Sequence, residues 1–103
     1  MRGSRPHRRV LLHVPTQLRC YSRGEGTLHV SGATLLTLDD VLRAVDRRAP
    51  GFRSWVVDER GQLRPQMRVF VARAPRGPVG TRDLELPIED QDEVFLAAAM
   101  SVS

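Results

Sequence analysis

The chain has 103 residues, of which 41% are hydrophobic and 5% aromatic, a size that supports one domain with a modest core and excludes two independent cores. All sixteen basic residues are arginines, and the net charge of +4 comes from residues 1–9, because arginines and acidic residues balance from residue 10 onward. A neutral body with few aromatic residues is not expected to bind nucleic acid, and no stretch approaches the roughly 20 apolar residues of a membrane span.

These patterns divide the sequence into two regions. Residues 1–9 are predicted to form a basic, disordered tail, and residues 10–103 a folded domain. The short apolar run after the tail lacks the length of a signal-peptide core. Cys20 is the single cysteine, which gives no disulfide framework and leads us to expect a cytoplasmic protein without a membrane association.

Two strands and one helix are predicted in the first half of the domain. Alternating apolar and polar residues predict strands at residues 10–14 and 27–31, close enough to pair as a hairpin. Thr37 and Asp40 have the spacing of a capping box. The apolar positions that follow recur at helical spacing and predict an amphipathic helix that ends at Pro50-Gly51: Leu38, Val41, Leu42, Val45 and Ala49.

The second half reads mainly as strands. A short apolar piece at residues 55–57 leads into a turn, and residues 67–72 are predicted as a strand. Residues 74–80 read as a loop by composition. Leu84 and Leu86 suggest a brief edge segment that ends at Pro87. Residues 93–100 are predicted as the last strand, with two faces: Val94, Leu96 and Ala98 on one, and Phe95, Ala97 and Ala99 on the other.

This order of elements predicts the fold class. No second amphipathic helix is visible, so a single helix must cover the sheet. The expected architecture is α+β, a β-grasp with one main helix packed across a mixed four- to five-stranded sheet.

Five segments of the chain carry a family resemblance when they are taken together and in order: Val14-Pro15-Thr16 with Leu18-Arg19, the helix with Pro50-Gly51, residues 58–65, Arg68-Val69-Phe70-Val71 and Asp92-Glu93-Val94-Phe95. They resemble the MoaD/ThiS sulfur carrier family over about residues 10–100. The resemblance implies a ubiquitin-like β-grasp domain with no catalytic activity and no cofactor of its own. It also implies that an E1-like adenylyltransferase/sulfurtransferase activates the carboxylate of a C-terminal Gly-Gly with ATP, after which sulfur transfer makes a thiocarboxylate.

The last residues differ from this family pattern. Val102-Ser103 stand where Gly-Gly is expected, and no glycine follows Gly80. Glycine adopts backbone angles that a Cβ forbids, whereas Val102 is β-branched and stiff. Two interpretations follow. One is a non-standard sulfur carrier whose attachment point is the terminal carboxylate of Ser103; the other is a degenerate β-grasp interaction module, or complex subunit, that does not carry sulfur.

A docking surface for a protein partner is predicted around the last strand, at Phe95, Ala97, Met100 and Val102. An outward aromatic residue beside small residues is typical of such a patch. The alternative is that Phe95 packs beneath residues 74–87.

No catalytic or metal-binding residue is predicted. Cys20 lacks a neighbouring base in the sequence pattern and is interpreted as a small apolar residue. The three histidines, His7, His13 and His29, lack metal-ligand spacing. His13 and His29 are expected on the outward faces of adjacent strands.

Overall fold

The computed structural model describes residues 8–16, 18–19 and 24–98. Five strands in this part form one mixed sheet with the order β2-β1-β5-β3-β4, in which β1 and β5 run parallel and the other neighbours antiparallel. Two helices complete this part of the chain, and the predicted β-grasp fold is confirmed. The elements are β1 (Arg8–His13), β2 (Thr27–Gly32), α1 (Leu38–Arg48), α2 (Phe52–Val56), β3 (Met67–Ala72), β4 (Pro78–Thr81) and β5 (Glu93–Ala98).

The core lies between α1 and one face of the sheet. The helix buries one apolar stripe, and the strands bury every second residue, as the two periodicities require. Buried residues of both described helices belong to this one cluster, so neither of these helices covers the opposite face of the sheet. The buried residues of α1 are Leu38, Val41, Leu42 and Val45, and those of the central strands include Val10, Leu12, Val94 and Leu96.

The start of α1 follows the predicted capping box. Thr37 Oγ1 accepts a hydrogen bond from the Asp40 amide at 3.3 Å, and Asp40 Oδ2 accepts one from the Thr37 amide at 2.9 Å. Asp39, one residue earlier, accepts hydrogen bonds from Arg43 Nε at 2.8 Å and from Arg53 Nε at 2.9 Å, the latter in α2. Burial raises the pKa of Asp39, but the hydrogen bonds from Arg53 and Arg43 outweigh it, so the pKa lies below its ordinary value.

Two elements of the structure were not predicted from the sequence. Residues 52–56 form α2, where only an apolar piece at residues 55–57 was predicted, because five residues are too few to display a helical period. Residues 78–81 form the edge strand β4, which begins within the predicted loop at residues 74–80. Pro78 is tolerated there because an edge strand leaves one side unpaired.

The predicted edge segment at Leu84 and Leu86 was wrong. Neither residue belongs to a strand. Their carbonyl groups instead accept hydrogen bonds from the Asp39 amide at 2.9 Å and the Leu38 amide at 3.0 Å. These amides lie in the first turn of α1, where a helix has no internal acceptors, so the segment completes the end of the helix.

The predicted tail falls largely outside the described residues. Of residues 1–9, the structure describes Arg8 and Arg9, and both belong to β1, which therefore begins before residue 10. Arg9 is also tied to a turn, because its amide donates to Asp90 Oδ1 at 2.8 Å and its carbonyl accepts from the Gln91 amide at 2.8 Å. In the described part of the chain, no helix is long and apolar enough to cross a membrane.

Candidate docking surface on the open face of the sheet

The open face of the sheet, opposite α1, carries a row of partly exposed apolar and aromatic side chains. We call this row the outward sheet face; its members are Leu11, His13, Phe70, Phe95 and Ala97. Side chains alternate across a strand, so burial of Val94 and Leu96 in the core directs their β5 neighbours outward. The predicted two faces of the last strand are thus observed as far as Ala98.

Phe95 lies at the centre of this face. It is directly opposite His13 on β1 and Phe70 on β3. The His13 and Phe95 rings stack with centroids 4.2 Å apart and planes 5° apart. Both rings are partly exposed, and aromatic side chains contribute much of the contact area of protein interfaces.

His13 is held in place by polar contacts on both ring nitrogens. Nε2 lies 2.9 Å from Glu93 Oε1, and Nδ1 lies 3.5 Å from Thr27 Oγ1. With Nε2 protonated, the ring donates to the carboxylate and Nδ1 accepts from the hydroxyl. These contacts connect β1 to both neighbouring strands and fix the ring against which Phe95 stacks.

The opposite side of the face is shaped by a glycine. A Cβ added to Gly80 would lie 3.4 Å from Phe70 Cε2, so the Phe70 ring rests directly on the β4 backbone. Beyond this ring, the surface descends into an open depression that Pro65, Arg68 and Arg82 also line.

The start of β5 is anchored by a buried carboxylate. Asp92 is 0% exposed; its Oδ1 accepts from Arg73 Nε at 2.9 Å, and its Oδ2 accepts from Arg73 Nη2 and from the Glu89 amide, each at 2.9 Å. The hydrogen bond to Asp92 raises the pKa of Arg73. Asp92 O accepts from the Leu11 amide at 3.1 Å. Asp92, the residue directly before β5, is therefore bonded to Arg73 after β3 and to Leu11 on β1. These bonds fix the start of the strand that carries Phe95 and Ala97.

The structure brings together some of the predicted site residues and leaves others outside its description. Phe95 and Ala97 share the outward sheet face. Met100, Val102 and Ser103 lie outside the described residues, as do Cys20 and His7. His29 is exposed on β2, opposite Leu11. Within the described residues, no group of three or more His, Cys, Asp or Glu side chains is placed to hold a metal ion.

Sequence reasoning missed His13, Phe70 and Asp92 as parts of this surface or its support. His13 and Phe70 each alternate with buried neighbours, so the period-2 signal of their strands places both outward. It was their position opposite Phe95 that could not be known, because strand order is not encoded in local periodicity. Asp92 had no local signal of burial, since its partner Arg73 belongs to another strand end.

The five-stranded mixed sheet, the single long helix across it and the central last strand define a ubiquitin-like β-grasp protein. Comparison with protein-family models gives no match, and comparison with curated protein sequences also gives none.

Solved structures do resemble the chain. CysO of Amycolatopsis orientalis, in its complex with BexX, is 24% identical, with a TM-score of 0.77 over 91% of this chain and 99% of that chain. CysO of Mycobacterium tuberculosis, described as an antigen, is 24% identical, with a TM-score of 0.75 over 88% and 99%. SAMP1 of Haloferax volcanii is 20% identical, with a TM-score of 0.72 over 92% and 99%. At these identities the comparison establishes the fold.

Proposed function

We propose that this protein is a MoaD/ThiS-like sulfur carrier, without catalytic activity, that acts through its C-terminal residues with an E1-like activating enzyme. The observation that carries the proposal is the position of β5, which is paired with β1 on one side and β3 on the other and leads directly into residues 99–103. A strand held on both sides is a rigid base for a segment that must enter the active site of another protein.

A protein partner is supported by the outward sheet face. Its aromatic stack lies on the strand that precedes the C-terminal residues in the sequence, and Phe95 and Ala97 are the members of the predicted docking surface that the structure describes. The similar CysO of Amycolatopsis orientalis was solved in complex with BexX, and this precedent supports the same mode of use here. The proposal extends to a cytoplasmic location, where ATP is available and a lone Cys20 stays reduced.

The proposed chemistry takes place at the carboxylate of Ser103. The carboxylate attacks the α-phosphate of ATP, pyrophosphate leaves, and an acyl-adenylate forms. Hydrosulfide then attacks the acyl carbon and AMP leaves, which gives a thiocarboxylate. Replacement of one oxygen by sulfur raises the intact mass by about 16 Da, and the activated acyl group makes this substitution feasible.

The test is an incubation of the protein with ATP, sulfide and E1-like enzymes, followed by intact-mass measurement. A gain of about 16 Da that depends on ATP is the expected result. A second sample carries Val102→Gly and Ser103→Gly. If only this variant gains the mass, the natural chain is the interaction module of the alternative interpretation. If neither gains mass with any such enzyme, carrier chemistry is excluded for these partners.

The docking surface can be tested separately. Phe95→Ala removes the stacking partner of His13 and is expected to weaken binding of the activating enzyme by about tenfold, the effect of losing one central aromatic residue. Leu36→Ala is the matched control, because Leu36 is 55% exposed and precedes α1, away from the outward sheet face. Equal binding by both variants would place the docking surface elsewhere.

A further inference from the structure

Two arginine side chains converge on one backbone oxygen beside the end of β5. Arg68 Nη1 and Arg82 Nη1 each donate to the carbonyl oxygen of Met67, both at 3.2 Å. We call these two residues the arginine pair. Arg68 Nη1 also donates to Pro65 O at 2.7 Å, and Arg82 Nη2 donates to the carbonyl oxygens of residues 63 and 64 at 3.0 and 3.2 Å.

This arrangement holds two positive charges close together, and among the described residues no carboxylate forms an ion pair with either of them. Because each of the two Nη1 atoms lies 3.2 Å from the carbonyl oxygen of Met67, the two nitrogens are separated by at most twice that distance. The ion pairs His13–Glu93, Arg43–Asp39, Arg53–Asp39 and Arg73–Asp92 include neither member of the arginine pair. Like charges at such a separation repel each other, and an anion bound between them would relieve the repulsion.

The hydrogen bonds to backbone carbonyls hold both guanidinium groups in position. Both residues are exposed, so these bonds leave nitrogen atoms available to solvent and to a ligand. A guanidinium group offers five donors in a rigid plane, which suits a carboxylate. Because the groups are already ordered, little conformational entropy remains to be lost when a ligand binds.

The surroundings indicate what kind of anion fits. Arg68 is opposite Ala97 and Met67 is opposite Ala98, so the arginine pair lies beside the last described residues of β5. Phe70 and Gly80 line the same depression. Fixed arginines beside an aromatic floor are the composition of a protein interface. The neighbours Asp83 and Glu85 interrupt the basic surface, which disfavours the continuous contact that a nucleic-acid backbone requires.

We propose that the arginine pair is a docking site for a carboxylate-rich segment of a partner protein. It extends the contact area from the outward sheet face to the edge beside β4. The inference names the kind of partner for the proposed function and in that respect rests on it, but its test requires no activating enzyme and no sulfur chemistry.

The experiment is a titration of the ¹⁵N-labelled protein, at low ionic strength, with an end-capped peptide of alternating glutamate and glycine. NMR follows the backbone amides and the arginine Nε–H groups, since residue-resolved signals separate this site from the basic residues 1–9. We expect the largest shifts at residues 65–70 and 80–82, and none with the matched glutamine peptide. Arg68→Gln is expected to weaken binding about two- to fivefold, as for an exposed ion pair.

The control is Arg47→Gln, which removes the same charge from an exposed position on α1 and is expected to leave the affinity unchanged. The double variant Arg68→Gln, Arg82→Gln tests the pair as a unit, and the single variant keeps the test decisive if the double variant does not fold.

Absence of shifts at these residues, or equal binding by Arg68→Gln and the parent protein, would overturn the proposal. Larger shifts at the same residues with a thymidine octanucleotide, at lower concentration than the peptide, would replace the protein partner with a nucleic acid. An unchanged thiocarboxylation result alongside either outcome would leave the proposed function standing.

Discussion

The buried carboxylate of Asp92 provides the sharpest test of how β5 is held. Asp92→Asn preserves the size of the side chain but replaces one acceptor oxygen by an NH₂ donor. All three groups around the carboxylate are donors, two on Arg73 and one on the Glu89 backbone. Whichever way the amide turns, at least one hydrogen bond is lost and two donors face each other in a site that is 0% exposed.

The expected loss of unfolding free energy is about 2–4 kcal/mol. A hydrogen bond to a charged group contributes about 1.5–3 kcal/mol, and an unsatisfied buried donor adds to its loss. The full penalty of breaking a buried ion pair, about 3–5 kcal/mol, is reduced here because the Arg73 side chain is 41% exposed and regains water. With an unfolding entropy of about 2.1 cal/mol/K per residue, the loss lowers Tm by about 9–18 °C for a chain of 103 residues.

Thermal unfolding followed by circular dichroism, together with urea titration, measures this change. Glu89→Gln is the matched control, because it makes the same chemical change on an exposed side chain of the same turn, and it is expected to alter stability by less than about 0.5 kcal/mol. A double-mutant cycle with Arg73→Gln is expected to give a coupling energy of about 1–3 kcal/mol. A coupling energy near zero, or a loss in Asp92→Asn no larger than in the control, would refute this account of the anchor.

Three further outcomes are expected from the same measurements. Thr37→Ala removes the acceptor for the Asp40 amide and should cost about 1 kcal/mol; no loss would mean that water replaces the cap. Gly61→Ala places a Cβ on a residue with φ 80° and should lower the free energy of unfolding by about 1–2 kcal/mol, although no atom lies within 4 Å of that Cβ. Gly77→Ala is the control: the site is open and its φ is not positive, so the protein should not be destabilised. The pKa of Asp39 is lowered in the folded state, so its contribution to the free energy of unfolding is present above the ordinary pKa of 3.8 and is lost as the pH falls through the folded value. Asp39→Asn should therefore lower stability at neutral pH and reduce the loss of stability on acidification. An unchanged loss on acidification would contradict the pKa shift.

Local chemistry in the sequence was enough to predict the main frame of the fold. The strands at residues 27–32 and 67–72 and the helix after Thr37 follow from side-chain periodicity and the capping residues. Each of these elements buries one face, and the spacing of the apolar residues on that face depends only on the backbone geometry of the element itself. The element can therefore be predicted from its own residues.

The features that the sequence did not predict depend instead on residues that are distant in the chain. β4 contains Pro78 and Gly80, which read as a loop, and its strand conformation comes from pairing with β3. The burial of Asp92 depends on Arg73, at the end of another strand. The arginine pair likewise exists only because β4 returns the chain to the start of β3. Each of these features is created by tertiary proximity, which no local pattern records.

The central position of β5 has a consequence for synthesis of the protein. Among the described residues, β1 and β2 form one hairpin and β3 and β4 another, and the sheet joins them only through β5. Both hairpins leave the ribosome before the strand that unites them, so the completed sheet cannot assemble until residue 98 has emerged. Until then, the facing edges of β1 and β3 are unpaired templates for other strands. The chain is therefore most vulnerable to aggregation in the interval before β5 pairs with both hairpins.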